Sequence, residues 1–189
     1  MDHLSQNLQK SITKAIFLDR DGTLNRDHHF VFESHKIDLI EGTKEAIEIF
    51  LRHKFLLFLL TNQPGIELKM YRREDVEACN ERVFELLENP PFTEICIASE
   101  ATYSPENYRK PSPRFINEMV EKYRLERHSC YMVGDKETDA FAGINAGIKG
   151  VLLESEYPRS PHCVELIRRG TITVFRDLLT FAHSLGKNF

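Results

Sequence analysis

Two aspartates end the first apolar run of the chain, and this feature most constrains the fold. Residues 14–25 read KAIFLDRDGTLN, so the apolar run 15–18 leads directly into Asp19 and Asp21. A run of this length is typical of a buried strand, whereas an ionised carboxylate is costly to bury without a partner. The strand must therefore leave the core at Asp19. In open α/β sheets this carboxyl end of a strand faces the ligand crevice, and we expect a site there.

Short apolar runs alternate with helical patterns along the rest of the chain. Strands are predicted at 15–18, 55–60, 95–98, 130–133, 150–153 and 171–175. Helices are predicted at 43–53, 73–88, 113–123, 138–146, 162–168 and 176–184, with Ser112 capping the third and Pro113 at its first position. This alternation predicts an α/β fold, a three-layer sandwich in which helices cover a mainly parallel sheet.

Composition limits the class of protein. With 189 residues, 41% of them hydrophobic, the chain is predicted to form a single domain over 14–189, preceded by a polar N-terminal extension at 1–13. A net charge of -4 argues against nucleic acid or an anionic membrane as partner. The longest strongly apolar run, 55–60, is too short to span a bilayer, and the first 13 residues lack the apolar stretch of a signal peptide. The four scattered cysteines suggest free thiols, and we expect a cytoplasmic protein.

Acidic residues follow two of the predicted strands. Asp19 and Asp21 follow the first, and Asp135 follows the strand at 130–133. Asp19, the backbone carbonyl of Asp21 and Asp135 offer the hard oxygen ligands that Mg²⁺ prefers. Asp139 is either a further ligand or a first-turn residue favoured by the helix dipole. The pattern predicts a magnesium site for Asp19, Asp21 and Asp135.

A magnesium ion beside these acids would favour chemistry on a phosphate ester. Mg²⁺ offsets the repulsion between carboxylates and phosphate, so Asp19 is predicted to attack phosphorus and form an aspartyl-phosphate. Asp21 is predicted to protonate the departing alkoxide and then to deprotonate the attacking water. The substrate on this interpretation is a small phosphorylated metabolite.

Other polar residues are predicted to bind that substrate. Thr61 and Asn62 can donate hydrogen bonds to phosphate oxygens, and Lys110 can place a positive charge on the transition state. Arg109 is predicted to contact sugar hydroxyls or a second phosphate through its forked donors. The loop after the first strand brings Asp27, His28 and His29 as candidate substrate contacts, although loop histidines are more commonly only exposed to solvent.

Four motifs in this order resemble those of the haloacid dehalogenase (HAD) superfamily of phosphatases. They are DRDGT at 19–23, TNQ at 61–63, RKP at 109–111 and GDKETD at 134–139. The resemblance implies a Rossmann-like fold and Mg²⁺ dependence, with Asp19 as nucleophile and Asp21 as acid/base. It also implies that Thr61 and Lys110 lie at the phosphate. The intervals 25–55 and 63–109 are too short for a large cap domain, so a capless form is predicted.

Within the superfamily, the segments LDRDGTLNRDHHFV, TNQPGI and GDKETDAFAGINAGI resemble the heptose bisphosphate phosphatases, with histidinol-phosphate phosphatases as near relatives. Both subfamilies commonly carry a zinc loop with a Cys-x-His pair and a later Cys-x-Cys. Here Cys96 remains, but Ala98, Glu106 and Tyr108 stand at the other ligand positions. One thiolate does not make a closed four-ligand site, so zinc is not expected.

Three alternatives to a sugar phosphatase remain. Histidinol phosphate is the first alternative substrate. A polynucleotide 3′-phosphatase shares the DxDGT and TNQ features, but the chain has no basic tract. A phosphoacceptor signalling domain also uses acids, Mg²⁺, a Thr and a Lys, but its acid pair is adjacent, whereas Asp21 lies two positions after Asp19.

Overall fold

The computed structural model describes residues 13–28 and 31–186, in which one parallel sheet of six strands runs through the centre. The strands are β1 (Ala15–Leu18), β2 (Leu56–Asn62), β3 (Phe92–Ala98), β4 (Tyr131–Gly134), β5 (Lys149–Leu153) and β6 (Ile172–Phe175). The helices are α1 (Thr43–Arg52), α2 (Arg73–Leu86), α3 (Arg114–Tyr123), α4 (Glu137–Asn145), α5 (Pro161–Arg168) and α6 (Leu178–Leu185), with 3₁₀ turns at Ser34–Lys36 and Arg127–Ser129. The α/β prediction is confirmed.

Alternation along β1 shows why the fold has three layers. Ile16 and Leu18 belong to a core that α1, α2 and α6 cover, and Ala15 and Phe17 belong to a second core under α3 and α4. All four side chains are fully buried. A strand buried on both faces reads as a continuous apolar run, which is the pattern at 15–18.

The strand order is β3-β2-β1-β4-β5-β6, and each neighbouring pair is parallel. The chain first winds outward from β1 to β3, then returns to the other side of β1 with β4. The direction of winding therefore reverses between β1 and β4. Ligands in open α/β sheets bind outside the carboxyl ends of the strands at such a switch point. Asp19 and Asp135 directly follow these two strands.

The predicted strands and helices are all present, with shifted ends. β2 continues through Thr61 and Asn62, which pair with Ile97 and Ala98 of β3, so both polar residues lie in the strand rather than after it. α6 begins at Leu178 instead of residue 176, because the Asp177 side chain caps it by accepting the Thr180 amide at 2.7 Å. α3 begins at Arg114, so Pro113 is its N-cap rather than its first residue and Ser112 precedes the cap. The Ser112 hydroxyl accepts the Arg114 amide at 3.3 Å.

The described segments between these elements are short. The described residues of 19–42 hold isolated bridges and one 3₁₀ turn. Residues 63–91 hold α2, and residues 99–113 hold no helix or strand, so no inserted domain lies among these described residues. This confirms the capless form. The predicted N-terminal extension lies outside the described residues except for Thr13. Among the described helices, none has the length and apolar character needed to cross a bilayer.

Candidate active site

Three carboxylates meet at the carboxyl ends of β1 and β4. Asp19, Asp135 and Asp139 are buried, and each offers an oxygen within 4.8 Å of the others. The Asp19 amide donates to the Val133 carbonyl at 3.0 Å, which ties the end of β1 to β4. Gly22 makes room beside them, since a Cβ there would lie 2.3 Å from Asp135 Oδ2, and its φ of +80° is one that glycine adopts readily. The sequence prediction that acids from separate strands converge holds for this cluster.

Lys110 reaches into this cluster as a buried cation. Its Nζ lies 2.8 Å from Asp19 Oδ1 and 2.7 Å from Asp139 Oδ1. Burial disfavours the charged ammonium, but the carboxylates of Asp139 and Asp19 outweigh it and hold the pKa of Lys110 above its usual value. Burial raises the pKa of Asp19 to about 6 although the Lys110 charge acts in the opposite direction. The charge of Lys110 is therefore fixed beside the predicted nucleophile.

Asp135 has a buried oxygen, Oδ1, that accepts no hydrogen bond from any described residue. Burial, followed by the charges of Asp19 and Asp139, raises the pKa of Asp135 to about 8. A crowded group of carboxylates with an unpartnered oxygen fits a hard divalent cation such as Mg²⁺. Asp19 and Asp135 are the carboxylates that could hold it, because Asp139 bonds Lys110 through one oxygen and accepts the Lys136 amide at 2.9 Å through the other.

Asp21 lies beside this cluster and faces the cleft above it. Its Oδ1 accepts hydrogen bonds from Arg20 Nε and Asn25 Nδ2, both at 3.0 Å. Its Oδ2 accepts from Arg20 Nη2 and Gln63 Nε2, both at 2.9 Å. The carboxylate is thereby held at both oxygens while 15% of its side chain stays exposed.

The two predicted phosphate donors of β2 are engaged within the protein. Thr61 is buried, and its hydroxyl accepts a hydrogen bond from Gln63 Nε2 at 2.9 Å. Asn62 lines the cleft, but its amide donates to the Lys110 carbonyl at 3.2 Å and accepts the Lys110 amide at 2.9 Å. Asn62 therefore fixes the backbone that carries Lys110. A contact of either residue with phosphate stays a prediction.

The cleft over Asp21 has a volume of about 430 Å³ and two cations on its walls, Arg109 and Lys136. Arg109 Nη1 donates to the Glu100 carbonyl at 3.0 Å. Lys136 Nζ donates to Asp27 Oδ2 at 2.9 Å and lies 4.5 Å from the ring centroid of Tyr157. Burial disfavours its charge, but the hydrogen bond that it donates to Asp27 and the charges of the nearby acids outweigh burial and raise the pKa of Lys136.

Two residues of the first loop have different positions. The Asp27 carboxylate binds Lys136 and also accepts the Tyr157 hydroxyl at 2.8 Å, so it forms part of the cleft wall. His28 is exposed and lines a neighbouring cavity together with Asp135. His29 lies outside the described residues.

The loop between β3 and α3 carries other side chains at the positions where the related families have zinc ligands. The Tyr108 hydroxyl donates to the Glu118 carboxylate at 3.1 Å, and the Arg114 guanidinium lies 4.4 Å from the centre of the Tyr108 ring. Cys96 is buried below, and burial, with the Glu100 charge, raises the pKa of its thiol to about 12. The absence of zinc stays a prediction, which rests on the single thiol among these positions.

Sequence reasoning missed several residues of this region: Arg20, Gln63, Tyr71 and Tyr157 line the cleft or contact Asp21 and Asp27. Arg20 stands between the two aspartates of the motif and is fully buried. In the sequence, only its two acidic neighbours indicate that its charge could be buried. Gln63 belongs to the TNQ motif but was assigned no role. Tyr71 and Tyr157 come from loops whose sequence gives no pattern.

Comparisons with known proteins identify the family of this chain. The HAD-hydrolase-like family matches residues 107–180. The chain is 33% identical to the D-glycero-D-manno-heptose-1,7-bisphosphate 7-phosphatase of Chlorobaculum tepidum, over 79% of this chain and 83% of the relative. It is 32% identical to the D-glycero-beta-D-manno-heptose-1,7-bisphosphate 7-phosphatase of Helicobacter pylori, over 79% and 88%.

A solved structure shows the same fold. It is the D,D-heptose 1,7-bisphosphate phosphatase of B. bronchiseptica complexed with magnesium and phosphate, with a TM-score of 0.78, 22% identity and coverage of 94% of this chain and 100% of that one. The sequence relatives are similar over most of their length as well as most of this chain. The chain therefore belongs to the HAD superfamily of phosphatases, in the family that contains these heptose bisphosphate phosphatases.

Proposed function

We propose that this phosphatase hydrolyses a small sugar phosphate through an aspartyl-phosphate on Asp19, with heptose 1,7-bisphosphate as its best substrate. The observation that carries the proposal is the placement of Asp19 between a buried cation and an unpartnered acid. Asp19 Oδ1 is 2.8 Å from Lys110 Nζ and accepts the Arg20 amide at 2.7 Å. These two contacts hold the Asp19 carboxylate in place for attack on phosphorus.

In the first step, a carboxylate oxygen of Asp19 forms a bond to phosphorus and the bond from phosphorus to the substrate oxygen breaks. Asp21 gives its proton to the departing oxygen, so the product leaves as an alcohol. In the second step, water attacks the phosphorus and gives a proton to Asp21, and the bond from phosphorus to Asp19 breaks. Lys110 stays beside the reacting group throughout and stabilises the negative charge that develops on the phosphoryl oxygens.

Asp19 and Asp135, with the backbone carbonyl of Asp21, would hold Mg²⁺. When bound, the ion neutralises carboxylate charge and polarises the phosphoryl group. The unpartnered Oδ1 of Asp135 supports this assignment. Asp139 instead pairs with Lys110 and accepts the Lys136 amide at the start of α4.

The cleft supports a substrate with a second anionic group. Arg109 and Lys136 both line it, and each can pair with a phosphate at the far end of a sugar. The names of the sequence relatives point the same way. Histidinol phosphate is the first alternative, but it carries a single phosphate and offers no second anion to these two cations. A 3′-phosphorylated oligonucleotide is the second alternative.

The test is kcat/KM with Mg²⁺ for both anomers of heptose 1,7-bisphosphate, histidinol phosphate, other sugar phosphates and a 3′-phosphorylated oligonucleotide. We expect the highest value for a heptose bisphosphate. Asp19→Asn should abolish turnover of every compound, because it removes the nucleophile, and Asp21→Asn should lower it about 10²–10⁴-fold. A preference for histidinol phosphate or the oligonucleotide would overturn the substrate. Full activity of Asp19→Asn would overturn the mechanism.

A further inference from the structure

We propose that Gln63 and Tyr71 are positioning residues that orient the Asp21 carboxyl group for proton transfer to the leaving group. This inference rests on the proposed function, because it concerns the acid of the same reaction. Neither side chain needs to contact the reacting atoms. Their effect is exerted through a chain of hydrogen bonds from Tyr71 to Gln63 and from Gln63 to Asp21.

The direction of this chain follows from the chemistry of its members. Gln63 Nε2 donates a hydrogen bond to Asp21 Oδ2 at 2.9 Å, so the amide nitrogen faces the carboxyl group. The amide oxygen then faces the Tyr71 hydroxyl, which donates to it at 2.9 Å. The second proton of Nε2 is donated to Thr61 Oγ1 at 2.9 Å. Tyr71 thereby selects the amide orientation that presents a donor to Asp21.

Packing fixes the two residues that make up the chain. Gln63 is 2% and Tyr71 6% exposed. The Tyr71 ring lies so close to Gly65 that a Cβ there would be 2.2 Å from its Cε1 atom. On another side the ring stacks against Phe32, with centroids 5.3 Å apart and planes 17° apart. A buried ring held in this way presents its hydroxyl in one place, which is what a positioning residue requires.

The opposite edge of Asp21 is held by a separate group of donors. Arg20 and Asn25 bond it, and Arg20 is itself held by Asn80 Oδ1 at 3.1 Å and the Val31 carbonyl at 3.0 Å. The Asp21 carboxyl group is thus bonded on both sides and cannot rotate without breaking these bonds. Gln63 and Asp21 both line the cleft, so the hydrogen bond between them lies at the wall of the proposed site.

A role in fold stability and a role in positioning Asp21 predict different rates on two kinds of phosphate ester. An alkoxide leaving group is strongly basic and needs the proton from Asp21, whereas 4-nitrophenolate leaves without one. Misorientation of Asp21 should therefore slow the hydrolysis of an alkyl phosphate far more than that of 4-nitrophenyl phosphate. The ratio kcat/KM reports the steps up to release of the leaving group, and so includes this proton transfer.

The experiment compares kcat/KM of Tyr71→Phe and Gln63→Met on two substrates, the best alkyl phosphate of the panel above and 4-nitrophenyl phosphate. We expect each variant to lose about tenfold on the alkyl phosphate, the effect of one misplaced hydrogen bond, and less than about twofold on the aryl phosphate. Tyr123→Phe is the matched control. It also removes a tyrosine hydroxyl that donates at 2.7 Å, to Glu94, but far from Asp21, and should change neither rate.

Equal losses on the two substrates, or no loss on the alkyl phosphate, would overturn the inference while the phosphatase assignment stands. Tyr71→Phe changes one atom in a packed ring and keeps the test usable where Gln63→Met unfolds. A wild-type chain that hydrolyses neither compound would overturn the proposed function itself, and this inference with it.

Discussion

At the scale of single residues, Lys110 carries a charge into the interior between two acids, with only 1% of its side chain exposed. Such a cation offsets the repulsion between Asp19 and Asp139 as well as the cost of its own burial. Removing one partner of a buried ion pair leaves an uncompensated charge, which typically costs about 3–5 kcal/mol.

We therefore predict that Lys110→Met lowers the free energy of unfolding by about 3–5 kcal/mol and abolishes phosphatase activity. Adding Asp139→Asn should restore part of the stability and none of the activity, because it removes the excess charge but not the need for a cation. Chemical denaturation measures the stability of the two variants, and a phosphatase assay measures their activity. Lys122→Met is the control, since its ion pair with Glu94 is exposed and worth less than about 1 kcal/mol. Equal losses for the two lysines would contradict the prediction.

The raised pKa values of Asp19 and Asp135, about 6 and about 8, also make a prediction about pH. Both lie above the ordinary value of 3.8, so the folded state holds protons that the unfolded state has released. Without Mg²⁺, the contribution of these groups to stability is therefore complete below about pH 4. It is lost as pH rises toward 8.

Protons and Mg²⁺ compete for the same oxygens, so the increase in Tm on adding Mg²⁺ should grow between pH 6 and pH 8. At about 100 times its Kd the ion adds about 2.7 kcal/mol, which corresponds to about 5–10 °C. Thermal melts with Mg²⁺ and with EDTA measure the difference. Asp135→Asn should lose most of the response, and a response of the same size at both pH values would argue against the two acids as ligands.

At the scale of elements, α6 begins where Asp177 caps it and packs Phe181 and Leu185 into the core beside α1. The Asp177 side chain accepts the Thr180 amide at 2.7 Å, which satisfies one of the unpaired donors of the first helical turn.

Asp177→Ala is expected to lower the free energy of unfolding by about 1 kcal/mol, and Tm by about 2–4 °C. Asp177→Asn should keep most of that stability, because the asparagine side chain also accepts a hydrogen bond at this position. Thermal melting of the three proteins is the measurement. The same loss for Asn and Ala would show that the charge of Asp177, through its pair with Arg176, matters more than the cap.

At the scale of the whole molecule, the parts of the fold that follow from local pattern were predictable and those that follow from tertiary contact were not. The apolar run at 15–18 and the acids after it predicted β1 and its site, since burial on both faces leaves a continuous apolar sequence. The hydrogen bond from Gln63 to Asp21 was not predictable, because residues 42 positions apart meet only when β2 lies beside β1. The hydrogen bonds of Asn62 with the backbone of Lys110, 48 residues away, were not predictable either, and its contact with phosphate stays a prediction.

The last prediction concerns the metal content of the complete chain, which we expect to hold no stoichiometric zinc. In the described part of the chain, the one group of three nearby potential ligands is the carboxylate cluster of Asp19, Asp135 and Asp139, and hard oxygen ligands favour Mg²⁺. Cys96, in β3, is the one cysteine among the positions that correspond to zinc ligands, and burial, with the Glu100 charge, raises the pKa of its thiol. Elemental analysis after incubation with zinc and extensive dialysis should find less than about 0.1 zinc per chain, because no closed set of ligands retains the ion. One tightly held zinc per chain, lost together with stability on chelation, would show that this loop is organised by a metal after all.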